Sequence, residues 1–156
     1  MLFRLISLKP LRYFFSGILV ILTLFFNDCS KGEEGISSSP EISLIHAGPQ
    51  VIKAFTDSIY FSIEYIDGDG DIGSNDAEQE NLFVEDTRMG LIYAFRIHQL
   101  SPKGTNPGIK GRLNFSLENT VLSGKDSEIV TYKIWLIDRA GHKSNNLNAG
   151  PFEVVE

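Results

Sequence analysis

Aspartate alternates with glycine in the segment Asp67-Gly68-Asp69-Gly70-Asp71, which carries the clearest chemical signal in the chain. Carboxylates this close together in a compact loop repel one another, and a bound cation would offset that repulsion. Ca²⁺ binds about six to eight oxygen ligands, and glycine lets a short loop wrap around an ion because it lacks a Cβ atom. The segment therefore predicts a loop-type Ca²⁺ site with Asp67, Asp69 and Asp71 as ligands. The alternative is a solvated turn, in which Asp and Gly serve only the turn geometry.

The EF-hand pattern fits this loop only in part. Oxygen-bearing residues fall at its ligand positions, namely Asp67, Asp69, Asp71, Asn75 and Glu78. However, Ile72 stands where the pattern requires glycine. The flanking segments also have the pattern of strands rather than helices. We therefore predict that the loop is not an EF-hand.

A fourth aspartate, Asp138, follows the apolar stretch that ends at Ile137. In an immunoglobulin-like strand order, the loop after this stretch lies at the same end of the sandwich as the acidic loop. We therefore expect Asp138 to be a further oxygen ligand for the Ca²⁺ ion. Alternatively, Arg139 or Lys143 neutralises the acidic loop without any metal.

The chain shows none of the short motifs typical of metalloproteases, serine hydrolases or phosphate-binding enzymes. Its histidines, His46, His98 and His142, are scattered, and each is expected to be a solvated surface residue. A bare Asp-Gly loop also lacks the apolar pocket that raises the pKa of a general acid. We therefore predict that the protein is not an enzyme.

Composition excludes several other classes of protein. The chain has 156 residues, of which 42% are hydrophobic and 22% are charged, as expected of a globular domain rather than a disordered chain. Its 14 basic and 20 acidic residues give a net charge of −6, which argues against nucleic acid as a partner. A single cysteine excludes an internal disulfide framework and a cysteine-based zinc site.

From Glu41 onward, apolar residues recur with a period of two, which is the period of β-strands. Residues 58–65, 91–97 and 112–118 alternate between apolar and polar, whereas residues 129–137 become apolar on both faces, as in a central strand. Weaker strands are predicted at residues 42–46, 51–55, 81–85 and 152–155. We predict an all-β domain over residues 41–156, an antiparallel immunoglobulin-like β-sandwich of seven to eight strands. A small β-barrel is the alternative.

The N-terminal residues have the pattern of an export signal. Three basic residues and no acid precede the apolar run of residues 13–26. This run is shorter than the about 20 residues that a membrane-spanning helix needs. We therefore predict a signal peptide over residues 1–28, with a retained membrane anchor as the alternative.

The only cysteine, Cys29, follows this signal, and its position resembles that of the lipidated cysteine of bacterial lipoproteins. The resemblance implies a lipoprotein-type signal peptide that ends at residue 28 and a lipid on Cys29. The alternative is a free thiol. Residues 29–40 then comprise the lipidated cysteine and a tether, which is expected to be flexible because residues 32–40 are rich in Gly and Ser.

Over residues 29–156 the chain resembles a group of small surface lipoproteins of unknown function from Bacteroidetes. The resemblance is carried by Cys29-Ser30-Lys31 and by residues 65–73, 82–88 and 138–145. It implies an exported, lipid-anchored sandwich on the outer membrane, exposed at the cell surface, and it implies no activity.

We therefore expect a non-catalytic, lipid-anchored protein of the cell envelope, an interaction or structural module with Ca²⁺ as a candidate stabiliser. The membrane is reached through the lipid, and the further partner is an unknown protein or glycan. The alternative function is a carbohydrate-binding or adhesion module on the cell surface. Its candidate contacts are Tyr60 and Trp135, which the strand pattern places on outer sheet faces.

Overall fold

The computed structural model describes residues 35–102, 104 and 107–156. The predicted signal peptide over residues 1–28 and the predicted lipidation site Cys29 lie outside the described residues. No helix in the described part of the chain is long and apolar enough to cross a membrane.

Eight strands form two sheets, and the described residues contain no helix. The strands are β1 (Glu41–Gly48), β2 (Val51–Lys53), β3 (Ile59–Asp67), β4 (Leu82–Asp86), β5 (Leu91–Phe95), β6 (Ile109–Leu117), β7 (Ser127–Leu136) and β8 (Leu147–Val155). The three-stranded sheet has the order β1-β3-β6, and the five-stranded sheet has the order β2-β8-β7-β4-β5. All pairs are antiparallel except β2 with β8. The all-β sandwich is therefore confirmed and the barrel is wrong, while the immunoglobulin-like type stays a prediction.

The core lies between the sheets, where the alternating apolar residues of β3 and β7 meet. Phe61 of β3 stacks on Phe115 of β6 at 5.0 Å between ring centroids. Across the core, its ring meets Tyr132 of β7 edge-on at 6.3 Å and Phe152 of β8 edge-on at 6.0 Å. The predicted inward faces of β3, β6 and β7 are thus confirmed, because period-two alternation places every second residue on one side of the sheet.

Strand β7 is covered on both faces near its end, as the sequence predicts. Trp135 lies on the outer face, yet it is only 9% exposed. Its ring stacks on Phe83 at 5.6 Å, and the Nζ atom of Lys143 lies 4.4 Å from the ring centroid. Phe83 and Lys143 therefore cover Trp135 on this outer face.

Most strands differ in length from the sequence prediction, and the backbone explains the differences at β2 and β8. Strand β2 ends at Lys53, because Phe55 has a φ of 61°, which an extended strand cannot contain. Strand β8 begins at Leu147 although residues 148–151 have the composition of a turn. A register shift between Val130 and Tyr132 of β7 accommodates this segment.

At the end of the sandwich where β4 ends and β7 begins, a buried ion cluster joins the two strands. Asp86 is fully buried, and its carboxylate accepts hydrogen bonds from Arg88 Nε at 3.0 Å and Arg88 Nη2 at 2.6 Å. Arg88 Nη1 also donates to Glu128 at 2.7 Å. The buried negative charge of Asp86 is therefore matched by a cation of the protein itself.

Candidate metal centre

The acidic loop and the loop after β7 meet at the opposite end of the sandwich. Asp67 is the last residue of β3, and it occupies an inward position because the alternation of Ile63 and Tyr65 continues to it. Leu82 at the start of β4 pairs with Leu136 at the end of β7, and Asp138 comes two residues after Leu136, just beyond this end of the five-stranded sheet. The strand ends thus bring together residues that are far apart in the sequence.

Four carboxylates converge at this end. One oxygen from each of Asp67, Asp69, Asp71 and Asp138 lies within 4.8 Å of the others. Asp67 is fully buried and Asp138 is 3% exposed, while Asp69 and Asp71 are half-buried. The structure thus brings together all four aspartates that the sequence analysis selects, in a buried cluster that could hold a metal ion.

Three oxygens of this cluster have no hydrogen-bond partner in the part of the chain that the structure describes. The Oδ1 atoms of Asp67, Asp69 and Asp71 are buried, and none accepts a hydrogen bond from the described residues. The second oxygens of Asp67 and Asp71 do accept backbone bonds, from Asp71 N and Ala140 N, each at 2.9 Å. Leaving a charged oxygen buried without a partner is costly, so these three atoms have the character of metal ligands.

The neighbouring basic residues hold the backbone of the loops. Arg139 Nη1 donates to the carbonyl of Gly73 at 2.9 Å, and Arg139 N donates to the carbonyl of Asp71 at 3.2 Å. Lys143 lies over Trp135 instead. Among the described residues, no ion pair reaches Asp67, Asp69 or Asp71, whereas Asp138 pairs with His142 Nδ1 at 3.0 Å.

Burial makes full ionisation of the cluster unfavourable. Desolvation, followed by the negative charge of Asp69, raises the pKa of Asp67 to about 6. Desolvation, followed by the charge of Asp138, also raises the pKa of Asp71. The hydrogen bond from His142 to Asp138 raises the pKa of that imidazole. The alternative of a solvated turn does not describe Asp67, because β3 carries its carboxylate inward and it is fully buried.

The chain between β5 and β6 holds the acidic loop in place. Ser74 N donates to the carbonyl of Ile97 at 2.9 Å, and Leu100 N donates to the carbonyl of Ile72 at 3.2 Å. The Ser101 hydroxyl donates to the carbonyl of Gly70. These residues could not be identified from the sequence, because backbone carbonyls give no sequence signal and an isolated serine is not distinctive.

The two glycines of the acidic loop have different roles. Gly70 has a φ of +66°, and a Cβ atom there would lie 2.1 Å from the carbonyl oxygen of Pro107. Gly68 is not in the left-handed region, but a Cβ atom there would lie 2.6 Å from the carbonyl oxygen of Ser37. Gly68 N donates to that same oxygen at 2.8 Å, so the chain leading into β1 packs directly on the acidic loop.

Replacing Gly70 with alanine tests how tightly the loop is held. The Gly70→Ala variant should lose about 1–3 kcal/mol more stability than Gly90→Ala. Gly90 is the matched control, because it has a φ of +70° but no atom within 4 Å of its would-be Cβ. Urea unfolding of both variants measures the difference, and equal losses would show that the close contact with Pro107 is not maintained in solution.

Raising the pH should expose the cost of ionising Asp67 in the metal-free protein. The folded pKa of Asp67, about 6, lies above its usual value of 3.8, so between these pH values the folded chain keeps a proton that the unfolded chain releases. This contribution to stability is complete at low pH and is lost as the pH rises through 6. In a chelator, Asp67→Asn should therefore gain more in melting temperature over the parent at pH 7.5 than at pH 5. A gain that is the same at both pH values would contradict the raised pKa.

The cluster is thus a buried, preorganised set of carboxylate oxygens, and the described residues supply a direct ionic partner only for Asp138. Comparisons with protein-family models, with curated proteins and with solved structures give no match to this chain. The geometry of the cluster is therefore the basis for assigning a function to this end of the sandwich.

Proposed function

We propose that this chain is a non-catalytic, lipid-anchored module of the cell envelope whose β-sandwich binds Ca²⁺ through Asp67, Asp69, Asp71 and Asp138. The observation that carries the Ca²⁺ assignment is the set of three buried carboxylate oxygens without hydrogen-bond partners among the described residues. A cation supplies the missing partner for all three at once.

The ligand set favours Ca²⁺ over other common metals. All four side chains offer oxygen, and hard cations prefer carboxylate oxygens, whereas Zn²⁺ in proteins is usually held by His and Cys. Ca²⁺–O bonds are about 2.3–2.6 Å long, so two ligands on opposite sides of one ion lie about 4.6–5.2 Å apart. The four oxygens lie within 4.8 Å of one another, which is compatible with this range. Mg²⁺, with bonds of about 2.0–2.1 Å, requires a tighter and more regular set.

A bound ion would strengthen the link between the loops that follow β3 and β7, which hydrogen bonds from Arg139 N and Ala140 N to Asp71 already join. Asp67, Asp69 and Asp71 lie before and within the loop that follows β3, and Asp138 lies in the loop that follows β7. These two strands belong to different sheets. Ca²⁺ would therefore fasten the two sheets to each other at this end and would keep the loops in one arrangement for a partner.

The lipid anchor is supported by the sequence around Cys29. The described chain approaches the domain at Ser37, eight positions after that cysteine, and Ser37 bonds to Gly68 of the acidic loop. The anchor would therefore pull on the domain at the end that carries the aspartates. The non-catalytic role is supported by the separate settings of His46, on β1, and His142, which pairs with Asp138.

Thermal unfolding of the full chain in detergent tests the Ca²⁺ site. Ca²⁺ at 100 times its Kd should add about 2.7 kcal/mol, a rise in melting temperature on the order of 10 °C over the protein in EGTA. The same concentration of Mg²⁺ should give a smaller rise. Titration calorimetry should give one Ca²⁺ per chain.

The Asp69→Asn variant tests whether Asp69 is a Ca²⁺ ligand or has only a structural role. In EGTA it should melt above the parent, because one of the mutually repelling charges is removed, yet Ca²⁺ should stabilise it less. Asp76→Asn is the matched control: it removes the same charge from the same loop, and Asp76 lies outside the cluster. If Ca²⁺ stabilises Asp69→Asn as strongly as the parent, the assignment is wrong.

Fractionation of cells that express the full chain tests the anchor. Wild-type protein should sediment with membranes and partition into detergent, and Cys29→Ser should lose the lipid. Ser30→Ala is the neighbouring control and should behave as wild type. If Cys29→Ser loses no lipid mass relative to the wild type and still partitions into detergent, the result would instead favour the retained apolar segment of residues 13–26 as the anchor.

A further inference from the structure

We propose that the outer face of the three-stranded sheet binds an uncharged saccharide, at a site formed by Tyr60, His46, Ser62, Asn114 and Ser116. This names a partner class for the interaction module proposed above. The site itself does not depend on the metal. Tyr60 lies near the start of β3 and Asp67 is its last residue, so about 23 Å of strand separates them.

The strand register builds the site from two cross-strand rows. In the first row, Tyr60 of β3 lies between Gly48 of β1 and Ser116 of β6. In the second row, Ser62 lies between His46 and Asn114. Together these rows border a cavity of about 420 Å³, which is within the range of small-molecule sites.

The first row leaves the ring of Tyr60 uncovered. Cross-strand neighbours usually cover an aromatic side chain on a sheet surface. Here one neighbour has no side chain and the other has only a hydroxymethyl group, and Tyr60 is 62% exposed. By contrast, Trp135 on the other sheet is covered by Phe83 and Lys143.

A β-bulge directs His46 to this face. Ile42 and Leu44 face the inward residues Tyr65 and Ile63, and simple alternation would point His46 inward as well. The register shifts between Leu44 and His46, so His46 lies opposite Ser62 on the outer face instead. The ring of His46 lies beside Gly48, at 3.4 Å from the position of a Cβ atom there, and therefore next to Tyr60 in the first row.

The polar side chains of both rows keep their hydrogen-bonding groups available. Among the described residues, no side-chain hydrogen bond involves His46, Tyr60, Ser62, Asn114 or Ser116. Within the described ranges, no Asp, Glu, Lys or Arg lines the cavity. The row beyond Ser62 is charged, because Glu64 lies opposite Arg112 and also pairs with Lys110 at 3.4 Å.

A neutral saccharide matches this combination of groups. The C–H face of a sugar ring packs on an exposed aromatic ring, while its hydroxyls both donate and accept hydrogen bonds, as amide, hydroxyl and imidazole groups require. An anionic or cationic ligand would find no opposite charge in the cavity. The cavity combines the uncovered ring of Tyr60 with neutral polar groups that have no side-chain hydrogen bonds among the described residues, so we commit to a saccharide.

Affinity electrophoresis of the full chain tests this site. Native gels would contain laminarin, xylan, mannan or dextran, with a polyoxyethylene detergent, because sugar-headed detergents would compete. At least one polysaccharide should retard the wild-type protein, and Tyr60→Ala should weaken that retardation about tenfold in apparent affinity. Tyr60→Phe should retain most of it, because the ring remains, and Asn114→Ala should weaken it.

Ile129→Ala is the matched control, because Ile129 is also 62% exposed but lies on the other sheet. It should bind as wild type, and the melting temperatures of all variants should agree. No retardation of the wild type by any of the four polysaccharides overturns the proposal, as does equal retardation of Tyr60→Ala. If Tyr60→Ala instead abolishes a dimer seen by sedimentation, the face binds a second copy and the proposal is also overturned.

The saccharide and Ca²⁺ proposals can fail separately. Asp69→Asn should lose stabilisation by Ca²⁺ and keep retardation by the polysaccharide, while Tyr60→Ala should show the reverse. Retardation that is the same in EGTA and in Ca²⁺ is the expected result, given the distance between the two sites.

Discussion

Repulsion among four carboxylates at one end of the sandwich is the constraint on which the other features of that end depend. Asp67 and Asp138 are almost completely buried, so water cannot screen their charges effectively. The loops nevertheless hold the carboxylates together, because the backbone of residues 70–74 bonds to residues 97–101 and to Arg139. The fold thus supports an arrangement that is electrostatically unfavourable without a cation.

The two ends of the sandwich treat buried carboxylates in different ways. Asp86 is as buried as Asp67, yet Arg88 binds both of its oxygens, and the pair connects to Glu128. At the other end, the nearest arginine, Arg139, donates to backbone carbonyls instead. Arg88 is thus the ionic partner of Asp86, whereas among the described residues no basic side chain forms an ion pair with Asp67, Asp69 or Asp71. This is the distinction expected of a metal-binding cluster.

The two sheets also present different outer faces. On the five-stranded sheet, Phe83 stacks on the ring of Trp135, and the side chains of Lys133 and Lys143 lie over it. Around Tyr60, the three-stranded sheet leaves an aromatic ring and several polar groups without partners among the described residues. The difference arises from the cross-strand neighbours, because Gly48 and Ser116 are too small to cover the ring of Tyr60.

The amino-acid sequence by itself determined the all-β class, the inward faces of β3, β6 and β7, and the choice of the aspartates, because alternation and local composition are properties of neighbouring residues. Only the tertiary structure decided that Asp67 points into the core, that residues 97–101 hold the acidic loop, and that a bulge turns His46 outward. Those outcomes depend on strand register and on contacts between distant segments, in which a shift of one residue reverses the face that a side chain occupies.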